Sequence, residues 1–355
     1  MKTDTFAFEV ITPCFAAGAE PEQQAEIRAP SIRGQLRWWF RVLGGFKSLG
    51  DQGETVRRQE EAVFGSAAGT SGSASRLITR VSAARPGALR RKQIEDEDAP
   101  GMNSPEGYLL FPLRNKDRAR FPAADLPRFQ LMIHWRGEPA LWEDIRALIS
   151  VLGHLGSLGF RSRRAMGALS VAGVPDLAAS LRRFGRPEGV TIHQLPAHDM
   201  RDAIRSLAVW LRGWRSYGRS QDRDRGTGPQ PNSPDWPGFK YAKSDHDAPF
   251  GGATQTYRPA LGLPIIQRFT TGRKFDWNRP QGGGSAKGRF ASPVILRPHR
   301  GTDGTWRALV IFVEARKWDS RNQVEVSDAV LRRRLPVSLD LYNAMKADPR
   351  LSQFP

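Results

Sequence analysis

Three arginines four residues apart, Arg33, Arg37 and Arg41, stand in the segment "SIRGQLRWWFRVLGG" with Trp38, Trp39 and Phe40 between them. A helix advances about 100° per residue, so Ile32, Leu36, Trp39 and Leu43 share one apolar stripe while the three arginines share the neighbouring flank. Guanidinium groups arranged in this way can hold phosphates, and Trp38 beside them can stack on an unpaired base. The same spacing also describes arginines that lie over a buried apolar face and snorkel into solvent. A second basic group argues for the anion: in "LGSLGFRSRRAMGAL", Gly153, Gly156, Gly159 and Gly167 surround Arg161, Arg163 and Arg164. Glycines allow backbone amides to approach a phosphate closely, so this segment reads as an anion cradle, with Phe160 as an adjacent stacking ring. Trp214 and Trp236 are further stacking candidates.

Other chemistries fit less well. "GGFKSLG" lacks the frame of a phosphate-binding P-loop, and the glycines of 153–167 follow a helical pattern rather than a strand, unlike a dinucleotide fingerprint. "SDHD" at 244–247 has the residue types of a metal-binding pair, but the six histidines are scattered, so no metal and no cofactor is expected. His154, just ahead of the basic loop, is the one candidate general base; with it the chain would be a metal-independent endoribonuclease acting through a 2′-hydroxyl.

Composition agrees with a polyanionic partner. The 54 Lys and Arg against 36 Asp and Glu leave a formal charge of +18 on 355 residues, a self-repulsion that nucleic acid relieves. With 39% hydrophobic residues the chain has material for folded cores and a length that suits two domains. No apolar run reaches a membrane span and the N-terminus lacks the pattern of a secretory signal, so no membrane partner is expected. Cys14 is the single cysteine, which suits a reducing, cytoplasmic setting.

The elements that must position these residues follow from periodicity. "TFAFEVIT" alternates as a half-buried strand; the opening helix follows Ala29-Pro30 with Ser31 as its expected cap; "ETVRRQEEAVFG" is helical up to Gly65. "RLITRVSAA", "GYLLFPL" and "RFQLMIHW" are expected as strands, 139–156 as an amphipathic helix, and "ALSVAGV" as a strand. This is the βαββαβ order of a ferredoxin-like domain with an enlarged middle. In the second half the spacing predicts a helix over 199–217, an ordered loop with a mobile tip over 218–258, a hairpin around Asp303-Gly304, and short helices near 327–334 and 338–347.

Three stretches together resemble the RAMP superfamily of CRISPR proteins, and within it the subunit-one family of the type III-B, or Cmr, effector complexes. They are "ITPCFAAGA" followed by "EIRAPSIRGQLRWWFRVLGG", the loop "LGSLGFRSRRAMGAL", and "RFASPVILRP", which opens on Arg289. The resemblance implies an α+β chain of two ferredoxin-like, RRM-related domains, here 1–175 with the basic helix and glycine-rich loop and 176–355 with a long insertion. It also implies a non-catalytic subunit of an antiviral ribonucleoprotein, with other RAMP subunits as neighbours, holding the 3′ portion of the CRISPR RNA and its complementary target RNA at one end. The candidate RNA contacts on the helix side are Arg33, Arg37, Trp38, Arg41 and Lys47. On the loop side they are Gly159, Phe160, Arg161, Arg163 and Arg164, with Arg289 in the third stretch. Residues 86–107 and 218–258 match no part of the family pattern, and a basic structural protein unrelated to CRISPR is the third reading.

Overall fold

Alternation decides the first strand. In β1 (Lys2–Val10), Phe6, Phe8 and Val10 are buried while Thr5 and Ala7 face out. The computed structural model describes residues 1–16, 18, 24–67, 72–82, 104–110, 120–263, 265–269, 271–279, 290–314 and 323–354. Along the chain β1 is followed by α1 (Ala29–Val42), α2 (Lys47–Gly50), α3 (Val56–Phe64), β2 (Leu77–Ser82), α4 (Pro105–Leu110), β3 (Arg128–Trp135), α5 (Trp142–Leu155), β4 (Leu169–Val171) and α6 (Leu177–Leu181). Next come β5 (Val190–Pro196), α7 (Met200–Arg215), α8 (Ser220–Asp224), α9 (Phe239–Asp247), β6 (Ile265–Arg268), β7 (Lys274–Asn278), β8 (Val294–Arg300) and β9 (Trp306–Val313). The last elements are β10 (Gln323–Ser327), β11 (Arg332–Pro336), α10 (Asp340–Lys346) and β12 (Ser352–Gln353).

Two compact units result. The first holds Met1–Leu207, Ile295–Ala315 and Gln353–Pro355; the second holds Ala208–Val294 and Arg316–Ser352. Residues 176–207 and 295–315 thus fall in the same unit as the N-terminal residues.

In the first unit, the sheet order β2-β3-β1-β4 is that of a ferredoxin-like fold, with helices α1 and α5 between the strands of its βαββαβ run. The antiparallel register pairs Phe6 with Leu131, Phe8 with Phe129 and Val171, and Val10 with Leu169. Because side chains alternate across a strand, this register places one apolar face under α1 and α5. Ile32, Leu36 and Trp39 of α1 and Leu148 and Leu152 of α5 share that core. Each such side chain contributes about 1.5–3 kcal/mol on burial.

The same order recurs along the chain as β5, α7, β8, β9, α10, β12, in a sheet ordered β12-β5-β9-β8. The fold is therefore α+β and ferredoxin-like, as the element pattern and the resemblance both imply. The second unit carries a sheet the sequence pattern did not suggest, β11-β10-β7-β6, antiparallel throughout. Its core is Phe275, Trp277, Val324, Val326 and Leu335.

Four local expectations are corrected. Ser31 is not the cap: α1 begins two residues earlier with Arg28 as its cap position and Pro30 in its first turn, where a missing N–H costs nothing. The start of "GYLLFPL" is helical, because Ser104 accepts the Gly107 N–H at 3.0 Å and Pro105-Glu106 opens the first turn of α4. Segment 327–334 belongs to β10 and β11 rather than a helix: Val324, Val326 and Leu335 point inward at strand spacing. Residues 218–258 contain α8 and α9, and are tied by Asp245, which is fully buried and accepts the N–H groups of Tyr257 (2.8 Å) and Arg258 (2.7 Å). Among the described residues no helix is long and apolar enough to cross a membrane.

Candidate nucleic-acid interface

The first unit brings the two basic segments together. The guanidinium of Arg163 lies over the Trp38 ring, 4.8 Å from its centroid. Between them opens a cleft of about 180 Å³ lined by Gly34, Gln35, Trp38 and Trp39 of α1, Leu155, Ser157, Ser162 and Arg163 of the loop side, and Ile295. Trp39 is buried, and its Nε1 has no hydrogen-bond partner among the described residues. Aromatic rings, a guanidinium, an amide and two hydroxyls at one small cleft suit a planar, polar-edged group such as a nucleobase with its phosphate close by.

The glycine-rich loop spends part of its backbone on contacts within the protein. Several of its N–H groups are bonded within the protein: Leu158 to the Gly167 carbonyl (2.8 Å), Phe160 to Phe15 (3.0 Å), Ala165 to Leu296 (2.9 Å) and Gly167 to Pro13 (2.8 Å). The glycines serve close backbone packing. Gly159 has φ 79°, and a Cβ there would come within 2.7 Å of the Phe15 carbonyl; Gly167 has φ 66°, and a Cβ would meet the Leu158 oxygen at 2.0 Å. Phe160 is 42% exposed, which leaves its ring accessible beside Arg161.

The arginines divide by environment. Arg37 and Arg41 converge on one carboxylate, Glu60 of α3: Arg37 Nε donates to Oε1 at 2.9 Å and Arg41 Nε to Oε2 at 2.5 Å. Burial pushes the Glu60 carboxyl up, and the two guanidiniums outweigh it, holding the group below the usual carboxylate range. The bond to Glu60 raises Arg41 further. Arg33 donates to the Phe64 carbonyl, and Arg161 to the Leu109 carbonyl, its Nε at 2.6 Å. The arginine flank of α1 is therefore not simply solvated: α3 supplies its acceptors, and α4 supplies one to Arg161 of the loop. Arg164 is 8% exposed, donates to the Arg163 carbonyl at 3.0 Å, and pairs through its backbone with Leu296. Its guanidinium faces protein. Lys47 is exposed at the start of α2, and Arg289 lies outside the described residues.

The other candidates separate as well. Trp214 is buried in the second unit with its Nε1 donating to Asp348 at 2.7 Å, so it is a core residue. Trp236 is half-buried with Arg212 5.4 Å over it. Of the "SDHD" residues, Asp245 is saturated by Arg258 and Tyr257, and His246 bonds Asp247 at 3.0 Å.

One residue escaped attention as a candidate. Arg297, in "VILRP", is fully buried and donates to the carbonyls of Gly156 (3.1 Å), Gly153 (2.7 Å), Pro298 (3.1 Å) and Leu169. It holds the C-terminal end of α5, where carbonyls lack intrahelical partners, and so fixes the start of the basic loop. Burial draws its pKa down to about 9, which leaves it charged at neutral pH. Next to it, His154 Nδ1 meets His299 Nε2 at 3.1 Å. Burial and the Arg297 charge lower His154 to about 4 and His299 to about 2, so both are neutral at pH 7. His154 thus faces a second histidine rather than the Trp38–Arg163 cleft. The signal that could have found Arg297 is an arginine between apolar strand residues in "PVILRP", a position where a charge needs a protein partner.

The family model described as the RAMP superfamily matches residues 7–170, which include α1, the glycine-rich loop and all of the cleft lining except Ile295. The CRISPR system Cmr subunit Cmr1-2 of Pyrococcus furiosus is 30% identical over 189 residues, 47% of this chain and 93% of that protein. The chain belongs to the Cmr1 family of the RAMP superfamily. The Cmr subunit Cmr1-1 of the same organism is 28% identical over 176 residues, 48% of each chain, so the match spans about half of that relative's length. The crystal structure of Cmr1 from Pyrococcus furiosus in its apo form covers 99% of this chain and 98% of its own, with a TM-score of 0.52 at 16% identity, which establishes a shared fold.

Proposed function

We propose that this chain is an RNA-binding, non-catalytic subunit of a type III-B CRISPR ribonucleoprotein in the cytoplasm. It would hold the 3′ portion of the CRISPR RNA and its paired target beside other RAMP subunits, as part of antiviral defence. The observation that carries this reading is the Trp38–Arg163 contact, which sets a stacking surface and a phosphate-binding charge at one cleft. Around it Arg33, Arg37, Arg41 and Arg161 are partly exposed and supply a basic rim, with Phe160 as a second ring. The two βαββαβ runs, one on each side of 175/176, are the proposed RAMP domains. Against cleavage by His154 stand its burial and its pairing with His299, which turn it away from the cleft that the neighbouring Leu155 lines.

The test is to purify the chain, sequence any nucleic acid that travels with it, and measure its affinity for labelled single-stranded RNA. Wild type binds, and Trp38→Ala with Arg163→Ala binds at least tenfold more weakly without a change in melting. RNA affinity that is indifferent to both changes would remove the reading.

A further inference from the structure

The second unit carries its own row of rings. Tyr217 and His246 have centroids 4.5 Å apart, His246 and Phe269 4.8 Å, and Phe269 and Phe250 5.1 Å. An arginine closes each end: the Arg223 guanidinium sits 3.9 Å from the Tyr217 ring centroid, and the Arg273 guanidinium 5.2 Å from that of Phe250. Four separate segments are needed to build the row. Tyr217 follows α7, His246 lies on α9, Phe250 ends the short turn after it, and Phe269 and Arg273 flank the β6–β7 turn, where the Phe269 N–H bonds the Arg273 carbonyl at 2.9 Å.

Internal packing accounts for only part of this. Phe275, in contact with both Phe250 and Phe269, is fully buried and belongs to the core of the third sheet. Phe250 is 52% exposed, and the His246 side chain 35%. Phe160 and Phe250 are the two exposed phenylalanines among the described residues, and each has an arginine next to it in sequence or space. Apolar rings left in water and bracketed by guanidiniums suit a ligand that is flat and aromatic but strung on negative charge. Arg268, exposed on the same hairpin, adds cationic charge beside Phe269, while Lys274, its partner in register, pairs with Asp276 at 3.1 Å. An apolar protein partner would be poorly matched to that rim.

We infer that the Tyr217–His246–Phe269–Phe250 row is a second binding site, a stacking platform for the unpaired bases of single-stranded RNA. The inference rests on the RNA-binding reading above and extends it to the second unit. Stacking is tolerant of base identity, because every base has a π face, so the platform has little sequence preference. The guanidiniums of Arg223 and Arg273 stabilise the rings they cover; Arg223 is held by the Tyr217 and Gly218 carbonyls and Arg273 by Asp328, so the exposed Arg268 offers the phosphate contact at the rim.

The experiment uses the full chain and two labelled strands of equal length, a twelve-residue oligouridylate and an abasic strand with the same phosphates. Phe250→Ala and Tyr217→Leu are each expected to weaken oligouridylate binding roughly 5- to 100-fold and to leave abasic binding nearly unchanged, with Phe250→Trp restoring affinity. Equal losses on both strands would overturn the inference, as would unchanged affinity in both variants. So would release of a co-purifying protein with RNA affinity intact, which would mark a protein-docking face. Trp38→Ala with Arg163→Ala is measured alongside. If only that pair loses RNA, the first site stands and the second falls; if wild type binds neither strand, both fall.

Discussion

Arg163 and Trp38, 125 positions apart in sequence, meet with the guanidinium 4.8 Å from the indole centroid. The contact joins the basic helix to the glycine-rich loop, and it depends on a support that neither segment contains. Arg297 bonds the carbonyls of Gly153 and Gly156 at the end of α5, and Leu296 accepts the Ala165 N–H, so β8 holds the loop against the N-terminal domain. A stacked arginine is also oriented: its charge is held at the cleft rather than spread over rotamers.

Arg163→Ala should reduce the slope of log affinity against log salt by about 0.7, the contribution of one phosphate on a single strand. Arg163→Lys keeps the charge but loses the planar stack, so affinity falls while the slope stays. For wild type, Arg164 is buried and Glu60 neutralises one of the two arginines it binds. About four of the six arginines then remain for phosphate, and the slope should lie near −3 rather than −4. Binding titrations between 50 and 300 mM salt, roughly the range over which such slopes are resolved, decide this. A slope near zero removes the electrostatic argument.

Arg37→Ala with Arg41→Ala would cost little if both were simply exposed charges, under about 0.5 kcal/mol. The structure predicts more. Glu60, whose side chain is 11% exposed, loses both donors, and a partly buried carboxylate without partners costs about 1–3 kcal/mol. Adding Glu60→Gln to the double variant should recover most of the lost stability, since an amide is cheaper to leave unpaired than a charge. Urea melts of the three proteins test this, and a triple variant no more stable than the double contradicts it.

Arg297→Met should lower stability by about 2–5 kcal/mol, because the carbonyls of Gly153, Gly156 and Leu169 lose their donor in a buried setting. Removing a buried charge works in the opposite direction. The number of orphaned carbonyls decides the sign. RNA binding should weaken as well, through disorder of the 157–165 loop, which is read by increased proteolysis there. A variant as stable as wild type would show that the charge, not its bonds, dominates.

Acid should destabilise the protein before its carboxylates titrate. His154 and His299 have pKa values below the ordinary 6.5 in the folded state, so the unfolded chain takes up protons first as pH falls. Their contribution is fully present above about pH 7 and is lost progressively down to about pH 4, where His154 itself protonates. His154→Gln with His299→Gln should flatten the melting temperature between pH 7 and 5. An unchanged pH profile would mean that other groups set it.

Periodicity alone determined much of this protein. The alternation of Phe6, Phe8 and Val10, the four-and-three spacing of α5, and the stripe of Ile32, Leu36 and Trp39 are local patterns whose burial follows from strand and helix geometry. The basic helix, the basic loop and Trp38 were legible as the set proposed to bind RNA for the same reason: residue type and spacing state what a side chain can do. What they could not state is which groups arrive from elsewhere. Glu60 between Arg37 and Arg41, the Leu109 carbonyl on Arg161 and the burial of Arg164 are set by α3, α4 and β8, and they change how much charge faces solvent. The third sheet escaped for a related reason. Its strands are four or five residues long, too short for alternation to stand out, and only pairing across the chain turns Trp277 and Val326 into neighbours. The ring row of Tyr217, His246, Phe269 and Phe250 likewise exists only in three dimensions, because its members come from segments whose spacing carries no period. Local sequence specifies the faces that must be buried, whereas long-range packing decides which charges and rings are left facing water.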